Sequence, residues 1–417
     1  MAELALAPVE SLPALPTTRQ EAWKYTNLAR AVETLQCTPL CTTIGCLEAA
    51  LPVVSGPQMV FHNGTLSEML SQSAHLAHGV TLATTRGTPA GNLQEDELDA
   101  LNTPFHHTLT VSGKVLLPLH LIHVCSGQPS AARVTIILED NAELTLIEHH
   151  VAAPRFATWQ HIGVEITLGE GAKLTHSVLQ TLPPLCLLTR RTRIHAAPTS
   201  SYTATQFQAG ATLSRIETHA TLTANCSFSH TALSLTRHTQ LHDGTVRITH
   251  TGENNQTHIH ARNLVDDAGH AVFQGKFYVA RAAQKTNAYM HCHNMLLSDS
   301  ARTSHKPELE IYADDVKCSH GAATGGLSDS QLFYLRARGL PLQAARALLL
   351  QGFAEEFIAQ FPQVMQPSLN QRLTRWLAEA PHQPTEEADF QPLEGEWLAE
   401  LSDTPHLRVV DDEVADE

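Results

Sequence analysis

Between about residue 104 and residue 326 the chain alternates apolar and polar side chains with a period of two, rich in Thr, Val, Ile and His. Turn-forming pairs interrupt the alternation at Asp140-Asn141, Glu170-Gly171, Thr199-Ser200, Ala224-Asn225 and Glu253-Asn254, about 25 to 30 residues apart. Each pair leads into an alternating run: ELTLIE, KLTHSV, SYTATQ, SFSHTA and QTHIHA. A period of two places successive side chains on opposite faces, which is the signature of strands. A strand rises about 3.3 Å per residue, so one such unit can cross a narrow sandwich, return, and hand the chain to the next layer. The spacing predicts a mainly β fold, a β-helix or flattened β-solenoid. A sandwich of hairpins shares this turn spacing, and periodicity alone does not separate the two.

The flanks read differently. Residues 1–103 form a leading mixed, partly helical region: Arg19 to Tyr25 is helix-compatible, and LEAALP stops at Pro52. Residues 327–381 return to a helical period. Ser328 and Gln331 make a capping box whose helix ends at Gly339. Pro341 suits the first turn of a second helix carrying Leu342, Ala345, Leu348, Leu349 and Phe353 and stopping at Pro362. Ser368 and Gln371 repeat the capping box, with Leu369, Leu373, Trp376 and Leu377 on one stripe. Residues 382–417 are acidic and aperiodic, which predicts a flexible tail.

Charge narrows the partners. The formal charge of −15 repels phosphate backbones, and the one tight basic cluster, Arg190, Arg191 and Arg193, is small, so nucleic acid is not expected. No window is long and apolar enough to span a membrane, and the first residues lack the basic start of a signal peptide. Eight cysteines without a C-x-x-C pair are too sparse for a disulfide scaffold. A cytoplasmic protein is expected.

Phosphate-loop, dinucleotide, nucleophile-elbow and zincin motifs are all missing, so no nucleotide site of its own is expected. On strands, His258 with His260 and His291 with His293 would each present two imidazoles on one face, either as metal donors or as polar surface. Cys37, Cys41 and Cys46 match no zinc or ferredoxin spacing and read as packed thiols. Asp266-Asp267 and Asp314-Asp315 are paired acids that a β-helix enzyme acting on acidic polysaccharide would use as acid and base. Adjacent residues of a strand face opposite sides, however, and Asp314-Asp315 reads as a turn before the last strand. The sharpest constellation is ADDVKCSHGAATGG, residues 313–326, where Cys318 and His320 share a strand face and Gly321, Gly325 and Gly326 follow. A thiolate with an imidazole suits iron or zinc, but two donors leave the shell incomplete without a second chain.

The stretch IYADDVKCSHGAATGGLSDSQLFYLRARGLPLQAARALLLQGFAEEFI, residues 311–358, closely resembles the C-terminal core of the SufB/SufD family of iron–sulfur cluster assembly proteins. EAWKYTNL, residues 21–28, is similar to the N-terminal motif of its D-type members, and the resemblance extends over roughly residues 19–380. It implies a right-handed parallel β-helix between helical regions. It further implies a non-enzymatic scaffold subunit that pairs with a B-type homologue, or with itself when that partner is absent. An ABC-type ATPase, which hydrolyses the ATP, would dock on the C-terminal helices. On that analogy Ser328, Leu332, Phe333, Leu335, Arg336, Arg338, Leu348 and Phe353 contact the ATPase. His320, and alongside it Cys318, ligate a transient iron–sulfur cluster at the partner interface.

Overall fold

The computed structural model describes residues 15–35, 47–72, 78–86, 98, 105–127, 129–153 and 157–379. Cys37, Cys41, Cys46 and the acidic segment 382–417 lie outside the described residues. The strands, in chain order, are β1 (Gln58–His62), β2 (Thr65–Leu66), β3 (Val80–Arg86), β4 (Phe105–Val111), β5 (Leu119–Cys125), β6 (Ser130–Leu138) and β7 (Glu143–Ala152). There follow β8 (Trp159–Leu168), β9 (Lys173–Gln180), β10 (Leu187–Ala196), β11 (Ser201–Ala209), β12 (Leu213–Leu222) and β13 (Ser227–Thr236). The last are β14 (Leu241–His250), β15 (Gln256–Val265), β16 (His270–Val279), β17 (Asn287–Leu296), β18 (Arg302–Ile311) and β19 (Lys317–Gly325).

From β4 onward consecutive strands alternate between two sheets, and from β6 onward each pairs in parallel with the strand two before it. One sheet runs β19-β17-β15-β13-β11-β9-β7-β5-β1-β2 and the other β18-β16-β14-β12-β10-β8-β6-β4-β3. The fold is a parallel β-solenoid, and the hairpin sandwich is excluded because hairpins pair antiparallel. The stack begins at β1, ahead of residue 104, where strands too short to show alternation already join it.

The turn pairs explain the regularity. Asn141, Gly171, Thr199, Asn225, Asn254 and Lys285 all take left-handed backbone angles, with φ between 58° and 67°. Their N–H groups donate to carbonyls one coil on, Asn141 to Glu170, Asn225 to Glu253, Asn254 to Gln284. Asn and Gly tolerate this conformation, so the turns stack as a column that sets the length of every coil.

Three cores result. The lumen between the sheets is filled by rows such as Val134, Ile136, Ile162, Val164, Leu188 and Ile216. The outer face of the first sheet, at Ile147, Leu179, Phe207 and Leu233, is covered by C-terminal helices. The outer face of the second sheet carries the N-terminal segment: Trp23 packs on Trp159, Leu187 and Leu213. There the Arg215 guanidinium lies 4.0 Å from the Trp23 ring centroid and donates to the Ala22 carbonyl at 2.8 Å, while the Thr26 hydroxyl donates to Asp243 at 2.6 Å. The EAWKYTNL motif is thus a clamp that fixes the chain's start on the sheet, followed by α1 (Leu28–Thr34).

The C-terminal region is three helices, α2 (Asp329–Ala337), α3 (Leu342–Ile358) and α4 (Gln366–Ala378). Ser328 caps α2 by accepting the Gln331 N–H, and Gly339 follows with φ 90°, as the sequence predicts. Two expectations are corrected. α4 starts at Gln366, two residues before Ser368, so Ser368 is inside the helix and caps nothing. On α3 the buried side is Ala345, Leu350, Ala354, Phe357 and Ile358, while Leu348 is exposed and Phe353 half-buried.

Candidate functional site

β18 and β19 are the last strands of their sheets, each hydrogen-bonded to one neighbour, so the solenoid ends in an open coil. In β17, Ala288, Met290 and Cys292 point into the lumen and are buried. Register pairs Ala288 with Cys318, Met290 with His320 and Cys292 with Ala322, and paired residues of parallel strands share a face. Cys318 and His320 therefore continue the lumen-facing rows onto the uncovered last layer. The two residues singled out by sequence stand on one face, as their spacing predicts.

Their environments differ. Cys318 is half-buried, packs against the lumen core and against Ala283 and Ala313, and burial pushes its thiol above the ordinary value. His320 is exposed. Across the lumen, β18 pairs with β16 so that His305 and Leu309 continue the rows of buried Phe273 and Phe277. The hydroxyls of Thr303 and Thr324 sit 3.5 Å apart, joining β18 to β19. The rim thus includes an imidazole that sequence reasoning missed, His305; its shared phase with Leu309 two positions on either side of Pro307 was the available signal. Among the described residues no three His, Cys, Asp or Glu side chains converge into a metal-holding group, so this end of the chain offers an incomplete donor set.

Two other sequence candidates resolve as turns. Asp266 and Asp267 close the β15–β16 turn, where the Asp266 carboxylate accepts the Asp267 N–H and Asp267 accepts from His238. Asp314 and Asp315 form the bend before β19, and the Asp315 carbonyl accepts the Lys285 N–H. Both pairs sit in turns and take part in turn hydrogen bonds, which does not favour the facing acid–base arrangement that a polysaccharide enzyme needs. The basic cluster is likewise dissolved by geometry: Arg190 points into the lumen to Glu148, and Arg191 outward to Glu217.

The C-terminal candidates form a separate surface. α2 buries none of its residues; Phe333 is 59% and, on α3, Leu348 is 49% exposed. Ser328, Arg336 and Arg338 are exposed beside them, and Leu332 and Leu335 are half-buried. Phe353 instead lies under the Arg262 guanidinium, 4.8 Å from its ring centroid, where it helps hold α3 to the sheet.

Comparison with known proteins places the sequence in a family. Residues 121–353 match the family model described as SUF system FeS cluster assembly, SufBD core domain. An iron–sulfur cluster assembly SufBD family protein of Synechocystis is 31% identical over 385 residues, 84% of each chain. The iron–sulfur cluster assembly protein SufD of Escherichia coli is 30% identical over 358 residues, 82% of this chain and 84% of the other. The chloroplastic protein ABCI7 of Arabidopsis thaliana is 33% identical over 240 residues, 56% of this chain and 50% of its own. With its stacked parallel coils and this match over most of its length, the chain belongs to the SufBD family of iron–sulfur cluster assembly proteins.

Proposed function

We propose that the chain is the D-type scaffold subunit of a cytoplasmic assembly complex, pairing through its open last coil with a B-type homologue. The observation that carries this reading is the pair of uncovered edges, β18 and β19, with Cys318 and His320 on the lumen face of the last layer. Soluble proteins blunt an exposed edge with charge, yet residues 318–325 of β19 carry no Lys, Arg, Asp or Glu. A second coil of the same pitch would extend both sheets and supply the missing donors; in its absence a second copy of this chain would cover the edge.

The nascent cluster is cargo built at that junction. Neutral imidazole replaces a thiolate on iron, and a cluster held by mixed ligands from two chains is released when the chains separate. His320 is the exposed donor and Cys318 the half-buried one behind it. The chain itself catalyses nothing in this scheme. An ABC-type ATPase docks on the exposed side of α2 and α3, around Phe333, Arg336, Arg338 and Leu348, and its ATP-driven movement is passed to the paired coils.

Co-expression with a B-type homologue and an ABC-type ATPase, followed by purification through a tag on this chain, tests the proposal. Retention of both subunits is expected. Recovery of this chain alone would end it.

A further inference from the structure

α3 is held to the outer face of the first sheet in two ways. Leu350, Ala354, Phe357 and Ile358 share one core with Leu233 and Leu264 of the sheet. Apolar contact is non-directional, so it keeps the helix on the sheet without fixing its position along its own axis. The Arg262 side chain of β15 supplies the direction. Its Nη1 donates to the Phe353 carbonyl at 2.6 Å and its Nη2 to the Glu356 carboxylate at 2.5 Å. Phe353 and Phe357 stand one turn apart on one face of α3, and the guanidinium lies 4.8 and 4.5 Å from their ring centroids. A planar fork that grips a carbonyl, a carboxylate and two rings resists both sliding and rotation of the helix. Thr231 of β13 adds one bond to Gln360, just past the helix end, at 2.7 Å. The imidazoles around this grip are packing: His258 stacks on Tyr289, and the His260 ring lies 6.5 Å from Phe357.

Register carries the grip to the open end of the solenoid. Arg262 pairs with His293 of β17, and His293 with Ala323 of β19, so the held point of α3 stands in one row with the uncovered edge strand, two strands away. On its other side α3 packs beside α2, which buries none of its residues. A second arginine makes a comparable grip on α4. Arg237, directly after β13, donates to the Trp376 carbonyl, lies 4.3 Å from the Trp376 ring centroid and stands 3.9 Å from the Glu379 carboxylate. None of the proposed docking residues is on α4. We infer that Arg262 is a positioning residue that makes α3 a rigid lever, passing movement of a docked ATPase to β15, β17 and the edge strand β19. Arg237 only fastens α4 to the fold. The inference rests on the ATPase docking surface proposed above and adds the joint through which force leaves that surface.

The test uses the complex co-expressed with a B-type homologue and an ABC-type ATPase and captured through a tag on this chain. Three quantities are read: subunit ratio, rate of ATP hydrolysis, and content of iron and acid-labile sulfide. Arg262→Ala should keep the wild-type subunit ratio and hydrolysis rate yet carry at least about fivefold less iron and sulfide. Arg262→Lys retains the charge without the planar fork and should show the same uncoupling. Arg237→Ala removes a matching clamp from the helix that bears no docking residue, and should keep the wild-type iron and sulfide. Wild-type iron and sulfide in Arg262→Ala, or equal losses in the Arg262 and Arg237 variants, would overturn the inference and leave the docking surface standing. Loss of the ATPase from the Arg262→Ala complex would also overturn it, by showing that the residue holds the docking surface and transmits nothing. A wild-type complex that retains no ATPase would remove the docking surface and the inference together.

Discussion

Arg190 meets Glu148 inside the lumen through two parallel hydrogen bonds, Nε to Oε1 at 2.8 Å and Nη2 to Oε2 at 2.7 Å, with both side chains sealed from solvent. His150 and His176 reach the same carboxylate at 2.8 and 3.1 Å. Burial alone would raise the Glu148 pKa, but Arg190 and the two imidazoles outweigh it and hold the carboxyl well below its usual range. An apolar coil would tolerate slippage between layers; this cluster bonds β7, β9 and β10 in one register.

Glu148→Gln should therefore leave a buried guanidinium without a counter-charge and cost about 3–5 kcal/mol. A urea titration followed by circular dichroism measures it. A midpoint equal to that of the wild-type chain would show that the pair is not what holds this layer.

Acid should loosen the solenoid. Burial depresses His123 to about 3 and His107, His230, His242 and His250 to about 4, so all are neutral in the fold. In the unfolded chain the same groups take up protons near pH 6.5, so the unfolded state binds more protons as pH falls from about 6.5 towards 4, and stability drops across that window. Glu148, also depressed, gives up its contribution in the same direction at lower pH. Melting temperatures at pH 7.5 and 5.0 should differ clearly; a flat profile would contradict the neutral-imidazole lumen.

Gly210 and Gly113 form a matched pair of left-handed glycines, with φ 94° and 70°. A Cβ on Gly210 would lie 2.1 Å from the Leu182 carbonyl oxygen, whereas one on Gly113 meets nothing within 4 Å. Gly113→Ala should cost only the backbone penalty, about 1–2 kcal/mol. Gly210→Ala adds a clash with fixed backbone and should cost more. Equal thermal shifts in the two variants would refute the close approach.

Phe333→Ala combined with Leu348→Ala removes one large exposed apolar group from each of α2 and α3. Because neither is buried, stability should change by no more than about 0.5 kcal/mol. Affinity for the ABC-type ATPase should fall by about 2 kcal/mol, roughly thirtyfold. Unchanged capture of the ATPase on the tagged variant would move the docking surface elsewhere.

Much of this was legible in the chain. The turn pairs announced the stacked column because Asn141, Gly171, Asn225 and Asn254 are residue types that tolerate left-handed angles, and the capping box at Ser328 worked because α2 is exposed and local chemistry decides its start. The lumen was not legible. Alternation assigns polar residues to the surface, yet His123, His150, His176 and His230 are inside, in phase with Leu121, Leu146, Leu174 and Phe228, and His176 bonds Glu148 and Tyr202 on neighbouring coils. The Ser368 signal failed for a related reason: burial of Met365 and Leu369 against the sheet sets where α4 begins. Cys318 and His320 were found by phase and placed on the last strand by the turn at Asp314-Asp315, but which face of that strand meets the lumen follows only from the register with Ala288 and Met290.

The most direct test of the shared-cradle account is the iron and acid-labile sulfide content of the complex co-expressed with its B-type partner and ATPase, with and without His320→Ala. The account predicts an intact complex of normal subunit ratio that carries far less iron and sulfide in the variant. Wild-type iron and sulfide in an intact His320→Ala complex would contradict it.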